Sequence, residues 1–282
     1  MTRWILGAAG VLAVVAGGCR SERPAPPTEA PATQAAATVS LDWPGFRGPR
    51  GDGVAAPDAR PSLPTDAGIP VAWKTPVPAP GHSSPIVAAG LVMLTGEGHR
   101  ILAFDAATGE LRWRAPSAGS DREGFVAWYY SPADSPPAFA GGNVFFADRA
   151  YRLTVFDAQT GERRVDEEKC AAVAQAADGA SVYLRHSDGR VSRRAADGSV
   201  LWTAEVPTGS LATQPVEARG IVWVISDRGT LSALDAATGS LFGQERVTAD
   251  LFAFAAPAFD GEHVYIADMS GRVTCLTPTW ER

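Results

Sequence analysis

Apolar and polar positions along the chain alternate in short runs, and the runs are broken at regular intervals by Asp, Gly, Ser and Pro. One phrase recurs: ILAFDAATGELRW at 101–113, LTVFDAQTGERRV at 153–165, VSRRAADGSVLW at 191–202 and LSALDAATGSLFG at 231–243. Each copy reads as an apolar strand, a tight turn and a returning strand. A second hairpin precedes each copy, as in VMLTGEGHRI at 92–101, VFFADRAYRL at 144–153, VYLRHSDGRV at 182–191, VWVISDRGTL at 222–231 and VYIADMSGRV at 264–273. Ahead of that comes a short strand ending in a Gly turn, as in SPIVAAG at 84–90, PPAFAGG at 136–142 and APAFDG at 256–261. Each unit therefore predicts four antiparallel strands.

A single hairpin is not stable in water, so the units must bury their faces against one another. The expected fold class is all-β, a β-propeller of four-stranded antiparallel blades. In the turns, Asp105, Asp157 and Asp235 are placed to accept backbone N–H groups just ahead of them. Gly109, Gly161, Gly198 and Gly239 supply the positive φ that closes each turn. Trp113 and Trp202 follow four residues later, and Trp73 stands five residues after Gly68. An indole buries ~150–250 Å², so these three rings are the expected docking residues between blades. The turn glycines stand 52, 37 and 41 residues apart, a period near forty that yields five blades, or six if 41–68 or the Trp280 tail adds strands. The segment 66–78 is expected to pair with the C-terminal strands and close the ring, which removes open sheet edges.

The A-x-D-A-x-T-G-x-x-x-W phrase resembles the tryptophan-docking repeat of the pyrroloquinoline-quinone (PQQ)-like β-propellers. The stretches WPGFRGPRGDG at 43–53 and GHSSPIV at 81–87 are similar to the N-termini of secreted bacterial members. The resemblance covers about 43–277, and it implies a fold more firmly than a function, because one propeller scaffold carries many activities. Departures are visible: Val165 and Gly243 stand at the Trp position, and Arg194 and Thr277 at the turn Asp position.

Residues 1–19 read as a lipoprotein signal peptide. Arg3 is the basic start, Ile5 to Val15 the apolar stretch, and Ala16-Gly17-Gly18-Cys19 resembles a lipobox whose Cys19 carries the lipid. Residues 20–40, rich in Pro, Ala and Thr, are expected to be a disordered tether, and 41–282 the propeller. From Cys19 onward 24 basic face 31 acidic side chains, a net charge of −7 because Arg3 lies in the leader. Such a body does not attract nucleic acid through its overall field. The expected location is therefore the bacterial envelope, on the outer membrane facing the periplasm, with membrane contact through the lipid alone.

Catalytic chemistry finds little support. Cys170 and Cys275 read as separate core thiols, and no spacing fits a metal. The quinoprotein dehydrogenases that the repeat resembles use a Ca²⁺ held by carboxylate and Asn oxygens and an adjacent Cys pair, whereas this chain has no vicinal cysteines and one Asn, Asn143. Neither PQQ nor calcium is expected. His99, His186 and His263 read as surface positions. Two clusters are candidate partner surfaces: Trp128, Tyr129 and Tyr130, which cannot all face one core, and the basic run Arg185, Arg190, Arg193 and Arg194. The basic run marks either a degenerate, solvated unit or guanidinium groups offered to carboxylates.

With the anchor and tether, the chain is similar to the BamB-like propeller lipoproteins of the outer-membrane assembly machinery. That likeness implies a non-catalytic scaffold that binds other envelope proteins. The alternative is a PQQ- and calcium-dependent quinoprotein-like dehydrogenase, or a small-ligand sensor, using the central channel.

Overall fold

The computed structural model describes residues 43–45, 48, 71–78, 84–96, 100–116, 136–148, 150–209, 211, 213–248, 255–260, 262–269 and 271–278. These all belong to one unit spanning 39–282. The segments read as signal peptide and tether, with Cys19, lie outside the described residues, as do Trp128, Tyr129, Tyr130 and His99.

The described strands form five antiparallel sheets in chain order. Sheet 1 holds β1 (Ile86–Ala88), β2 (Leu91–Gly96), β3 (Arg100–Asp105) and β4 (Leu111–Pro116). Sheet 2 holds β5 (Ala138–Ala140), β6 (Asn143–Ala147), β7 (Arg152–Asp157) and β8 (Arg163–Glu168). Sheet 3 holds β9 (Cys170–Gln175), β10 (Ser181–His186), β11 (Arg190–Ala195) and β12 (Val200–Glu205). Sheet 4 holds β13 (Val216–Ala218), β14 (Ile221–Ile225), β15 (Thr230–Asp235) and β16 (Leu241–Arg246). Sheet 5 holds β17 (Ala258–Phe259), β18 (Val264–Ala267) and β19 (Val273–Leu276). Within each sheet every strand pairs with the next, which is the up-and-down order of a propeller blade.

Alternation decides which side chains meet. In β2, Leu91 and Met93 face sheet 2, where they join Val144, Phe146 and Phe156, while Val92 and Leu94 turn to the other face with Leu102 and Phe104. Equivalent apolar clusters join sheets 2 and 3, sheets 3 and 4, and sheets 4 and 5. The first strands of sheets 1, 2 and 3 approach one another. Across them lies the segment at 43–45. Trp43 exchanges two backbone hydrogen bonds with Val87, and the Pro44 carbonyl accepts the Phe139 N–H.

The last strand of each four-stranded sheet carries a bulge at the same place. Trp113 faces Ala103 and Leu111 faces Phe104, which leaves Arg112 as the extra residue. Arg164, Leu201 and Phe242 hold the matching positions in sheets 2, 3 and 4. A bulge twists its strand and re-aims the extra side chain outward.

Two expectations are corrected here. Residues 71–77 contain no strand, and among the described residues no ladder joins them to β19, so the expected pairing of an N-terminal strand with the C-terminal strands is not found there. Pro70, Pro76 and Pro78 lack the N–H donors that such a ladder needs. Cys275, expected in the core like Cys170, is exposed, because β19 has no neighbour on its outer side among the described residues.

Candidate interaction surface

The repeated turns are built as their letters predict. The Asp105 carboxylate accepts N–H bonds from Ala107 and Thr108, both at 2.9 Å. Asp157 accepts from Gln159 and Thr160, and Asp235 from Ala237 and Thr238. For Asp105 and Asp157 these backbone donors are the largest cause holding the carboxyl below its ordinary range, and for Asp235 the Thr238 hydroxyl leads.

Each turn presents a bare glycine to an indole. Gly109, Gly161 and Gly239 have φ of 74°, 72° and 74°, and a Cβ at any of them would lie within 2.5–2.7 Å of Trp73, Trp113 and Trp202 respectively. The indole N–H groups donate to the next carbonyl in each turn: Trp73 to Ala106 at 3.1 Å, Trp113 to Ala158 at 2.8 Å, Trp202 to Ala236 at 2.9 Å. Trp113 thus bridges sheets 1 and 2, and Trp202 sheets 3 and 4. At the seam of sheets 2 and 3, where Val165 stands at the Trp register position, Asn143 takes over the role. Its amide donates to Ala196, in the turn that carries Gly198, at 2.7 Å, and Gly141 abuts the Ala196 methyl so closely that a Cβ would clash.

Within the basic run of sheet 3, Arg185 faces inward, which corrects the expectation of a partner surface at that residue, while Arg190, Arg193 and Arg194 are half-buried. Arg185 is 0% exposed. It pairs with Asp227 at 2.6 Å and donates to the carbonyls of Thr208, Leu211 and Thr213, so it ties β10 to the connection entering sheet 4. Arg193 donates to Ser181, to Asp178 and to the Ala236 carbonyl that Trp202 also uses, and its guanidinium lies 5.7 Å from the Tyr183 ring centre. Arg194 reaches Ser192 and Gly198, and Arg190 holds Asp188. Sheet 3 is complete and cross-linked, not degenerate. Register places Ala195, not Arg194, where sheet 1 has Asp105, since the turn closing on Gly198 is one residue shorter.

His186 is also buried, contrary to its surface assignment. Its Nε2 sits 2.9 Å from the Ser192 hydroxyl. Burial first, then the positive charge of Arg190, pushes its pKa from 6.5 down to about 4, against an opposing pull from Asp188. The unfolded chain then takes up a proton near pH 6.5 that the native state refuses until about 4. Stability is therefore expected to fall by about 2–3 kcal/mol as pH drops through that window and to stay flat above it. Urea unfolding at pH 4.5 and 7.5 should reveal this difference, and His186→Gln should remove it. The turn aspartates, whose native pKa values are lowered from 3.8, lose their contribution only at lower pH.

The outer rim carries the apolar surface that sequence reading missed. In sheets 1 and 2 the bulged residue is an arginine that leans back on its own turn, Arg112 3.9 Å from Asp105 and Arg164 2.6 Å from Asp157. In sheets 3 and 4 it is Leu201, 53% exposed, and Phe242, 62% exposed, beside the exposed Val200 and Leu241. Trp202, docked on Gly239, packs β12 against the turn that leads into β16. The signal was present in the sequence as LW after Val200 and LF after Ser240, but only the bulge register shows which residue points outward. Among the described residues no cluster of His, Cys, Asp or Glu converges to hold a metal.

A family model described as outer membrane protein assembly factor BamB matches residues 70–168 and 120–279. The BamB of Escherichia coli K12 is 27% identical over 201 residues, which is 70% of this chain and 50% of that protein, so the chain spans about half the length of the curated relatives it matches. The crystal structure of BamB from Moraxella catarrhalis superposes with a TM-score of 0.54 at 18% identity, over 67% of this chain and 58% of the other. A quinohemoprotein alcohol dehydrogenase from Pseudomonas putida has a TM-score of 0.50 at 16% identity, over 73% and 43%. At such identities these two structures share the β-propeller fold alone with this chain. By the family match, the chain belongs to the BamB family of PQQ-repeat β-propeller proteins.

Proposed function

We propose that the chain is a non-catalytic scaffold of the bacterial envelope, lipid-anchored through Cys19 at the outer membrane, that binds other envelope proteins through the outer rim of sheets 3 and 4. The observation that carries this reading is the exposed apolar pair Leu201 and Phe242, set at the bulge positions where sheets 1 and 2 place arginines, with Val200 and Leu241 exposed beside them. Large apolar side chains grouped on a rim mark protein contacts, and the relatives matched are named as outer membrane assembly factors. The wholly buried Arg185 supports the same reading, since its ion pair and carbonyl bonds tie β10 to the connection entering sheet 4.

The test is affinity purification of the full, anchored chain from its own envelope, beside the variant Leu201→Asp. Leu201 is a bulge residue pointing to solvent, so its replacement is expected to leave the melting temperature within ~2 °C. Recovery of envelope partners should fall at least tenfold. Equal recovery from both proteins would remove the rim from the proposal. Globomycin, which blocks lipoprotein signal cleavage, should leave an uncleaved precursor, and insensitivity would remove the anchor.

A further inference from the structure

We infer that the channel-facing edges of sheets 1 and 2 form a docking groove for an extended Trp-Pro-Gly segment, which the chain fills with its own residues 43–45 as a latch. In a propeller the first strand of each blade lines the central channel, and β1 and β5 are the first strands of their sheets. Their inner edges carry N–H and C=O groups that no other strand of the same sheet pairs. Such an edge is a template for added chain. The rim of sheets 3 and 4 plays no part in it.

Each residue of the latch has a place on those edges. Trp43 donates its N–H to the Val87 carbonyl at 2.6 Å and accepts the Val87 N–H at 2.8 Å, which makes an antiparallel bridge. Pro44 has no N–H to leave unpaired as the chain departs from sheet 1, and its carbonyl accepts the Phe139 N–H of β5 at 2.9 Å. The Phe139 carbonyl is taken in turn by the Gln175 amide at 2.8 Å, from the end of β9. A Cβ on Gly45 would stand 3.5 Å from the Gln175 Cβ, so a larger side chain there presses on the residue that closes the groove. Pro44 and Gly45 are buried.

The segment also carries its own fold. The Gly48 N–H donates to the Gly45 carbonyl at 3.0 Å, and Gly48 has a φ of 77°, which tucks it under the Trp43 ring. A Cβ there would come within 2.9 Å of that indole, much as a Cβ on Gly161 would meet Trp113. Phe46 and Arg47, between them, lie outside the described residues. A ligand whose turn and ring contacts are internal loses little freedom on docking, so it binds without being joined to its receptor. The groove then contributes three backbone hydrogen bonds, two from Val87 and one from Phe139, and a buried bed for Pro44 and Gly45.

The experiment uses the purified full chain, its variant Trp43→Ala, and a capped Leu-Asp-Trp-Pro-Gly-Phe-Arg-Gly peptide, residues 41–48, carrying 5-fluorotryptophan. Hydrogen exchange read by mass spectrometry is expected to be about tenfold faster over 84–88 and 136–140 in Trp43→Ala, and unchanged around Gly239. Followed by ¹⁹F NMR, the peptide should bind Trp43→Ala with Kd in the range of ~0.1–1 mM, slow that exchange again, and bind the wild type about tenfold more weakly. The peptide with Ala for Trp should not bind. Gly45→Leu, which pushes the latch off Gln175, gives the same comparison if Trp43→Ala does not fold. Unchanged exchange in a folded variant, no peptide binding to it, or equal binding to the wild type overturns the proposal. So does a wild-type dimer that dissociates in Trp43→Ala, because a second copy would then supply the latch. Leu201→Asp leaves Val87 and Phe139 untouched, so failure of the latch is separate from failure of the rim.

Discussion

Replacing Asp227 with alanine is expected to lower the unfolding free energy by about 3–5 kcal/mol, as measured by urea unfolding. The reason is the charge it leaves behind. Arg185 is wholly buried, its guanidinium pKa is pushed down by burial, and Asp227 is the group that pushes it back. The carbonyls of Thr208, Leu211 and Thr213 accept hydrogen bonds from Arg185 but bring no counter-charge. Asp227→Asn, which keeps the shape and removes the charge, should cost less than the alanine variant. Substituting Arg185 with methionine should be at least as damaging, because it strands three carbonyls and a carboxylate at once. A loss below about 1 kcal/mol in Asp227→Ala would mean that backbone dipoles alone neutralise Arg185.

Trp202→Ala is the second large effect, about 3–5 kcal/mol. Trp202 is 8% exposed, its ring lies on Gly239 and 5.9 Å from the Tyr183 ring centre, and its N–H is bonded to Ala236. Truncation opens a cavity at the seam of sheets 3 and 4 that the flanking strands cannot close, since Arg193 is held in place by Asp178 and Ser181. Trp202→Phe keeps most of the apolar contact and loses the hydrogen bond, so it should cost about 1–2 kcal/mol. Trp113, less buried, should lose less on the same truncation. Equal melting curves for Trp202→Ala and the wild type would show that this ring does not bear on the seam.

The contrast between seams explains how much irregularity the repeat tolerates. Where Val165 stands at the Trp register position, Asn143 supplies the missing donor and Gly141 permits a closer approach to Ala196. Neither residue belongs to the recurring phrase, so compensation at this seam could not be read from it. The same holds for Arg193, which looked misplaced in a small-residue position and instead shares the Ala236 carbonyl with Trp202. Only one seam, that of sheets 4 and 5, has a glycine at the docking position beside an open cleft among the described residues.

The residues of this chain determined its local structure on their own. Strand alternation, the Asp caps and the glycines of the turns act over a few neighbouring positions, so the antiparallel hairpin sheets and the docking of Trp73, Trp113 and Trp202 on turn glycines could be read directly. Burial of Arg185 and His186, the absence of a ladder between 71–77 and β19, and the outward aim of Leu201 and Phe242 were decided by tertiary structure. Each depends on which sheet stacks against which, on a single bulged residue, or on a carboxylate forty-two positions away. A charge looks the same in sequence whether water or Asp227 neutralises it, and only the stacking of sheets 3 and 4 chooses between the two.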